Sequence, residues 1–205
     1  MQAWGEAVWA DPRWETFLRG VVKRVLAGDE TQPWWLPRRV LTVVSADVDD
    51  AAGVGAIWIL WRPKSSRMRE HIALLEWFGE QWRYVGGSSG SGDDPVDVKV
   101  LDVSNGGGVL SPTRSLDPPR SISAAPRISC VKVRLGRDAS RVLIGVRRIE
   151  VPEQRSLIAV WTSTQTSHGV RPVIVALGRD GAELSRTGPH DSLDTHTLAR
   201  MREEL

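Results

Sequence analysis

From Pro12 to Ala27 apolar residues recur at the i, i+3, i+4, i+7 spacing of an amphipathic helix. Trp14, Phe17, Leu18, Val21, Val22, Val25 and Leu26 form the apolar stripe, and Arg13, Glu15, Arg19, Lys23 and Arg24 fall on the other side. Asp11 suits the cap, Pro12 the first helical position and Gly28 the stop. Beyond the helix the period changes from 3.6 to 2. Arg39 to Val48 alternates, with Val40, Val44, Ala46 and Val48 on one face, and Asp49 to Gly53 is a turn. Val54 to Arg62 follows, with Val54, Ala56, Trp58 and Leu60 on one face and Ile57, Ile59 and Trp61 on the other, so both faces are covered. Residues 68–78 suit either a helix, through Met68, Ile72 and Leu75, or a strand. The strand is preferred, because Gly79-Glu80 turns it into Gln81 to Val85 as a second hairpin.

The run Gly86 to Gly92 has the composition of a flexible linker, and it divides the chain. This places an α+β domain at 1–87, a linker at 88–95 and a β-sandwich-like domain at 96–205. In the second half short apolar runs alternate with turn residues: Val96 to Val103, Ile128 to Leu135, Arg141 to Val151, Ser156 to Thr162, Arg171 to Leu177 and Ala182 to Arg186. Residues 104–126, rich in Gly, Pro and Ser, read as a long surface loop, and Asp194 to Leu205 as a short amphipathic helix carrying Leu198 and Met201. The expected fold class is therefore α+β: an N-terminal helix on a curved sheet, an antiparallel β-sandwich, and a short C-terminal helix.

The helix followed by strands ending in Trp82-Arg83-Tyr84-Val85-Gly86-Gly87 resembles a reduced form of the cone-shaped α+β fold of nuclear transport factor two and ketosteroid isomerase. The second half resembles an immunoglobulin-like sandwich in strand rhythm, without its Cys and Trp landmarks. Neither resemblance rests on a specific motif. Isomerase chemistry is not implied, because that family pairs an Asp base with an oxyanion hole of Tyr and protonated Asp. Here the one phenol is Tyr84, and no acidic residue matches either position.

Composition changes this picture through charge, cysteine and aromatic content. The 205 residues carry 27 Lys or Arg against 25 Asp or Glu, a net charge of +2, and acidic and basic residues nearly balance within each half, so a nucleic-acid partner is not expected. No run approaches the roughly 18 to 20 apolar residues that cross a bilayer, and no signal-like start precedes the helix, so a cytoplasmic protein without membrane contact is expected. The single Cys130 forms no intrachain disulfide and no thiolate cage, and reads as a buried apolar side chain on a strand.

The third change is aromatic. Nine of the ten Trp lie at or before Trp82. Trp34, Trp35, Trp58, Trp61, Trp77 and Trp82, with Arg62 and Tyr84, are the candidate surface for a small apolar ligand or a protein partner, a second copy of the chain included. Filling the core of the first half is the competing use of the same rings. Arg62, Lys64, Arg67 and Arg69 add charge suited to an acidic partner. His190, Asp191, Asp194 and His196 form the densest cluster of potential metal ligands, although Asp191 or Asp194 equally suits a helix cap. Asn105 to Gly108 resembles a phosphate-cradling loop but opens no helix. No cofactor is implied. The functional expectation is a non-enzymatic binding or protein-interaction protein, with a small-molecule enzyme using an aromatic pocket of the first half as the alternative.

Overall fold

The computed structural model describes residues 12–92, 98–111, 113, 125–163 and 170–203. Helix α1 spans Pro12–Ala27 and buries Trp14, Leu18, Val21 and Val22, the centre of the expected stripe. The expected cap residue, Asp11, lies outside the described residues. Gly28 ends it at φ +74°, with Gly28 N–H donating to Val25 O and Asp29 N–H to Arg24 O. Only a residue without Cβ takes this left-handed turn at no cost.

Strands β1 (Leu41–Asp49), β2 (Val54–Trp61), β3 (Arg69–Phe78) and β4 (Gln81–Ser91) form an antiparallel meander in the order β1-β2-β3-β4. Residues 69–78 are thus strand, as preferred. α1 covers one face of this first sheet, where Leu41, Val43, Ile57, Ile59, Ala73, Leu75 and Trp82 meet its buried stripe. Within β1 the alternation slips. A bulge between Val43 and Ser45 moves Val44 to the opposite face, so the helix-facing set is Leu41, Val43, Ala46 and Val48 rather than the even-numbered one.

Strands β5 (Leu101–Leu110), β6 (Arg127–Leu135) and β9 (Ser156–Ser163) form a second antiparallel sheet in the order β5-β6-β9. It packs on the other face of the first. Val54, Ala56, Trp58, Ile72 and Leu74 from one sheet meet Ile128, Cys130, Ile158 and Val160 from the other, so this core draws on both halves of the chain. Strands β7 (Arg141–Ile144), β8 (Arg147–Glu150), β10 (Ile174–Leu177) and β11 (Glu183–Thr187) make a third sheet in the order β11-β10-β7-β8. It covers Val131, Val133, Leu135, Leu157 and Ala159 on the far side of the second. Among the described residues the architecture is α+β: a helix on three stacked antiparallel sheets, closed by α2 (Thr195–Glu203).

Several expected elements differ, each for a local reason. Residues 88–91, expected within a linker, are the end of β4, where Ser88 pairs with Ile72 and Ser91 with Arg69. Just before them, at Gly87, glycine is needed for close approach: a Cβ would run into the backbone oxygen of Ile72. The long loop expected from 104 begins only after Leu110, because β5 runs on through the Gly-rich stretch beside β6. Much of the remainder of 104–126 lies outside the described residues. The single strand expected over 141–151 is a hairpin, turned by Gly145 at φ +60°. Helix α2 buries none of its residues, so Leu198 and Met201 face outward rather than inward.

Polar groups tie the layers. Ser45 Oγ accepts from Ile158 N–H at 3.1 Å and Asp47 Oδ2 from Val160 N–H at 2.8 Å, satisfying donors on the outer edge of β9. Arg147 of the third sheet grips Asp47 with two bonds and also donates to Val160 O, so one guanidinium spans all three sheets. Between the first two sheets Lys132 Nζ lies 3.0 Å from both oxygens of Glu70, under the Trp58 ring.

Candidate functional site

The eight residues of the expected aromatic surface do not share one pocket. Trp82 is buried against α1, with Trp77 edge-on to it at 5.6 Å between ring centroids. Trp58 is buried on the opposite face of the first sheet, beneath Lys132 and Arg134. Tyr84 is half-buried beside His71, and burial raises its phenol pKa above the ordinary value. Trp34, Trp35, Trp61, Trp77 and Arg62 reach solvent. The concave face of the first sheet is filled by α1 itself.

The four expected metal-ligating residues also separate. Asp194 caps α2: its carboxylate accepts from the N–H groups of His196 and Thr197 and from the hydroxyls of Thr197 and Ser185. Burial disfavours the charged form, but these hydrogen bonds outweigh it and hold the carboxyl below its usual value. Asp191 Oδ2 accepts from Gly188 N–H at 2.7 Å. His196 faces a small pocket beside the start of β5. Among the described residues no three His, Cys, Asp or Glu side chains come together to hold a metal ion. His190 and Asp191 instead line a cleft between the second and third sheets.

That concavity follows from strand lengths. β6 has nine residues and β9 eight, whereas β7 and β10 of the covering sheet have four each. At about 3.3 Å per residue the cover spans less than half of β6. The Leu135 end is packed and the Arg127 end lies open as a cleft of about 800 Å³. Its floor is Arg127, Ser129 and Val131 of β6 with Asn105, Gly107 and Leu110 of β5. Its walls are Trp161, the Val170-Arg171 stretch and the Pro189–Asp191 loop. The glycines set aside in the sequence are part of it: β5 bulges between Asn105 and Gly107, and Gly107 takes φ +116°. Asn105 Oδ1 fixes the bulge by accepting from Gly107 N–H at 2.9 Å.

The electrostatics of the cleft centre on Arg171. Its Nη2 donates to Gly188 O at 2.6 Å and Asp191 O at 2.8 Å, which holds the guanidinium in place. Its Nε is buried with no partner among the described residues, as is Trp161 Nε1. Burial lowers the Arg171 pKa, partly offset by the nearby Asp191 charge. Arg127 has one long contact, to Gly108 O at 3.5 Å, and is otherwise open to solvent. A cation with a donor left without an acceptor, beside a second cation and an indole N–H, is arranged to receive an anion. Cys130, whose backbone crosses the floor, is no nucleophile, since burial pushes its thiol up to about 12.

Arg127 and Arg171 were not among the sequence candidates. Their one sequence-level signal is position: Arg171 opens a stretch read as strand and Arg127 directly precedes one, where exposed Arg is ordinary. No protein-family model, no curated protein and no solved structure matches the chain.

Proposed function

We propose that the protein is a cytosolic, non-enzymatic binding protein that holds a small anionic molecule, with a carboxylate or phosphate group, in the cleft between the second and third sheets. One observation carries this reading: Arg171 is fixed by two backbone carbonyls while its buried Nε finds no acceptor among the described residues. A planar guanidinium with free donors matches a two-oxygen anion. Arg127 brings a second charge, His190 and Asn105 bring further hydrogen-bonding groups, and Trp161 offers a flat wall to an apolar body. The cytosolic assignment fits a single buried Cys and the finding that no helix of the described residues is long and apolar enough to cross a membrane.

The test is thermal unfolding of the full chain against a panel of inorganic phosphate, phosphate monoesters and aliphatic and aromatic carboxylates. A ligand at a hundredfold excess over its Kd adds about 2.7 kcal/mol, a rise of roughly 5 to 10 °C for a chain of this size. Arg127→Gln, at an exposed side chain, is expected to abolish the rise without altering the unliganded midpoint. A panel that leaves the midpoint unmoved, or a rise that persists in Arg127→Gln and Arg171→Gln, contradicts the proposal.

A further inference from the structure

Residues 33–40 and 61–69 meet at one end of the first sheet. Leu41 pairs with Trp61, and Arg62 N–H donates to Val40 O at 2.9 Å. Gln32 pins the preceding turn to the edge of β1: its Nε2 donates to Leu36 O and Leu41 O, and its Oε1 accepts from Val43 N–H. In a chain of net charge +2, these two stretches carry Arg38, Arg39, Arg62, Lys64, Arg67 and Arg69 and no acidic residue. Arg38 is held by Glu30. The other five have no carboxylate partner among the described residues.

The apolar residues of this end are turned outward. Trp34 is 89% and Trp35 59% exposed, on a turn stiffened by Pro33 and Pro37. Behind them Val40 and Trp61 border a shallow groove with Arg39, Arg62 and Lys64. Core filling therefore does not account for Trp34 and Trp35. Their exposure leaves an aromatic tip backed by positive charge that has no carboxylate partner among the described residues.

We propose that this end of the molecule docks on an anionic lipid surface, with Trp34 and Trp35 entering the headgroup layer and Arg39, Arg62, Lys64, Arg67 and Arg69 facing the negative leaflet. A protein or nucleic-acid partner would need a hollow shaped to a Trp pair that projects this far. The headgroup layer needs none, and it takes indole rings with the ring in the apolar boundary and the N–H in the wet layer. The cytoplasmic leaflet supplies the matching charge. The inference is independent of the cleft.

Flotation of the full chain with vesicles tests it. Association is expected with mixed phosphatidylcholine and phosphatidylserine vesicles, not with phosphatidylcholine alone, and is expected to fall as salt rises. The triple variant R62A/K64A/R67A should weaken association by about fivefold for each charge removed. W34A/W35A should weaken it about tenfold. Both variants change exposed side chains, so their thermal unfolding should match the wild type, and Arg179→Ala on the third sheet should float unchanged. Failure to float with the mixed vesicles, equal association with neutral vesicles, or flotation that survives both variants would overturn the proposal. So would retention on polyglutamate or single-stranded DNA without any vesicle association.

Discussion

Two faces of the stack contrast. Where α1 meets the first sheet, a helix of about 24 Å lies on strands of similar length, and the space is filled by Trp14, Trp82, Leu18 and their neighbours. Where the third sheet meets the second, four-residue strands lie on nine- and eight-residue ones, and the uncovered end is a cleft with two arginines. Side chains are alike in kind at both packed centres. The difference is the length of the covering element, and it decides which face is core and which is available to a ligand. An aromatic-rich face is therefore not by itself a binding face.

The largest effect is expected at the seam that both faces share. Lys132 and Glu70 form a buried pair, with about a tenth of each side chain exposed. Lys132→Met leaves Glu70 as an unpaired buried charge and should cost about 3 to 5 kcal/mol in urea unfolding. Adding Glu70→Leu should recover most of that loss. Full cost without recovery would mean that the residues act through other contacts.

Next comes the contrast itself. Leu18→Ala opens a cavity under α1 and should cost about 2 to 5 kcal/mol. Leu110→Ala, on the cleft floor and 39% exposed, should stay within about 0.5 kcal/mol. Equal costs would show that the cleft is packed in solution.

A pH effect separates the faces as well. His71, buried between α1 and the first sheet beside Trp14 and Tyr84, has its pKa pushed down to about 4 by burial. The unfolded chain binds that proton near pH 6.5 and the folded chain only near 4, so stability should fall by about 3 kcal/mol as pH drops across this window. His71→Gln should flatten that slope. A slope unchanged in the variant would place the titration elsewhere.

The smallest expected change concerns β4. Gly87→Ala should destabilise by about 1 to 3 kcal/mol, because its Cβ meets the Ile72 carbonyl. In a flexible linker the same substitution would be silent.

The sequence showed the helix, both hairpins of the first sheet and most later strands, because each depends on local periodicity and turn residues. It misled at Gly86 to Gly92, since close backbone approach and linker flexibility call for the same glycines. The bulge at Val44 was hidden, because alternation reports a strand's faces only while its register holds. At the site, His190 and Asp191 were singled out for metal chemistry, and both line the cleft. Arg127 and Arg171 were missed because what joins them is the shortness of β7 and β10, a tertiary fact that no window of sequence contains.

Trp161 is the one Trp beyond residue 82, and its indole N–H is buried at the cleft wall without a partner among the described residues. Its NMR resonance, assigned by loss of the signal in Trp161→Phe, gives the most direct readout. Titrating in a carboxylate or phosphate that raises the unfolding midpoint should shift Trp161 Nε1–H and Arg171 Nε–H together and leave the Trp14, Trp58 and Trp82 indoles in place. Shifts confined to Trp34 and Trp35, or no shift at saturating ligand, would contradict the assignment of the cleft as the binding site.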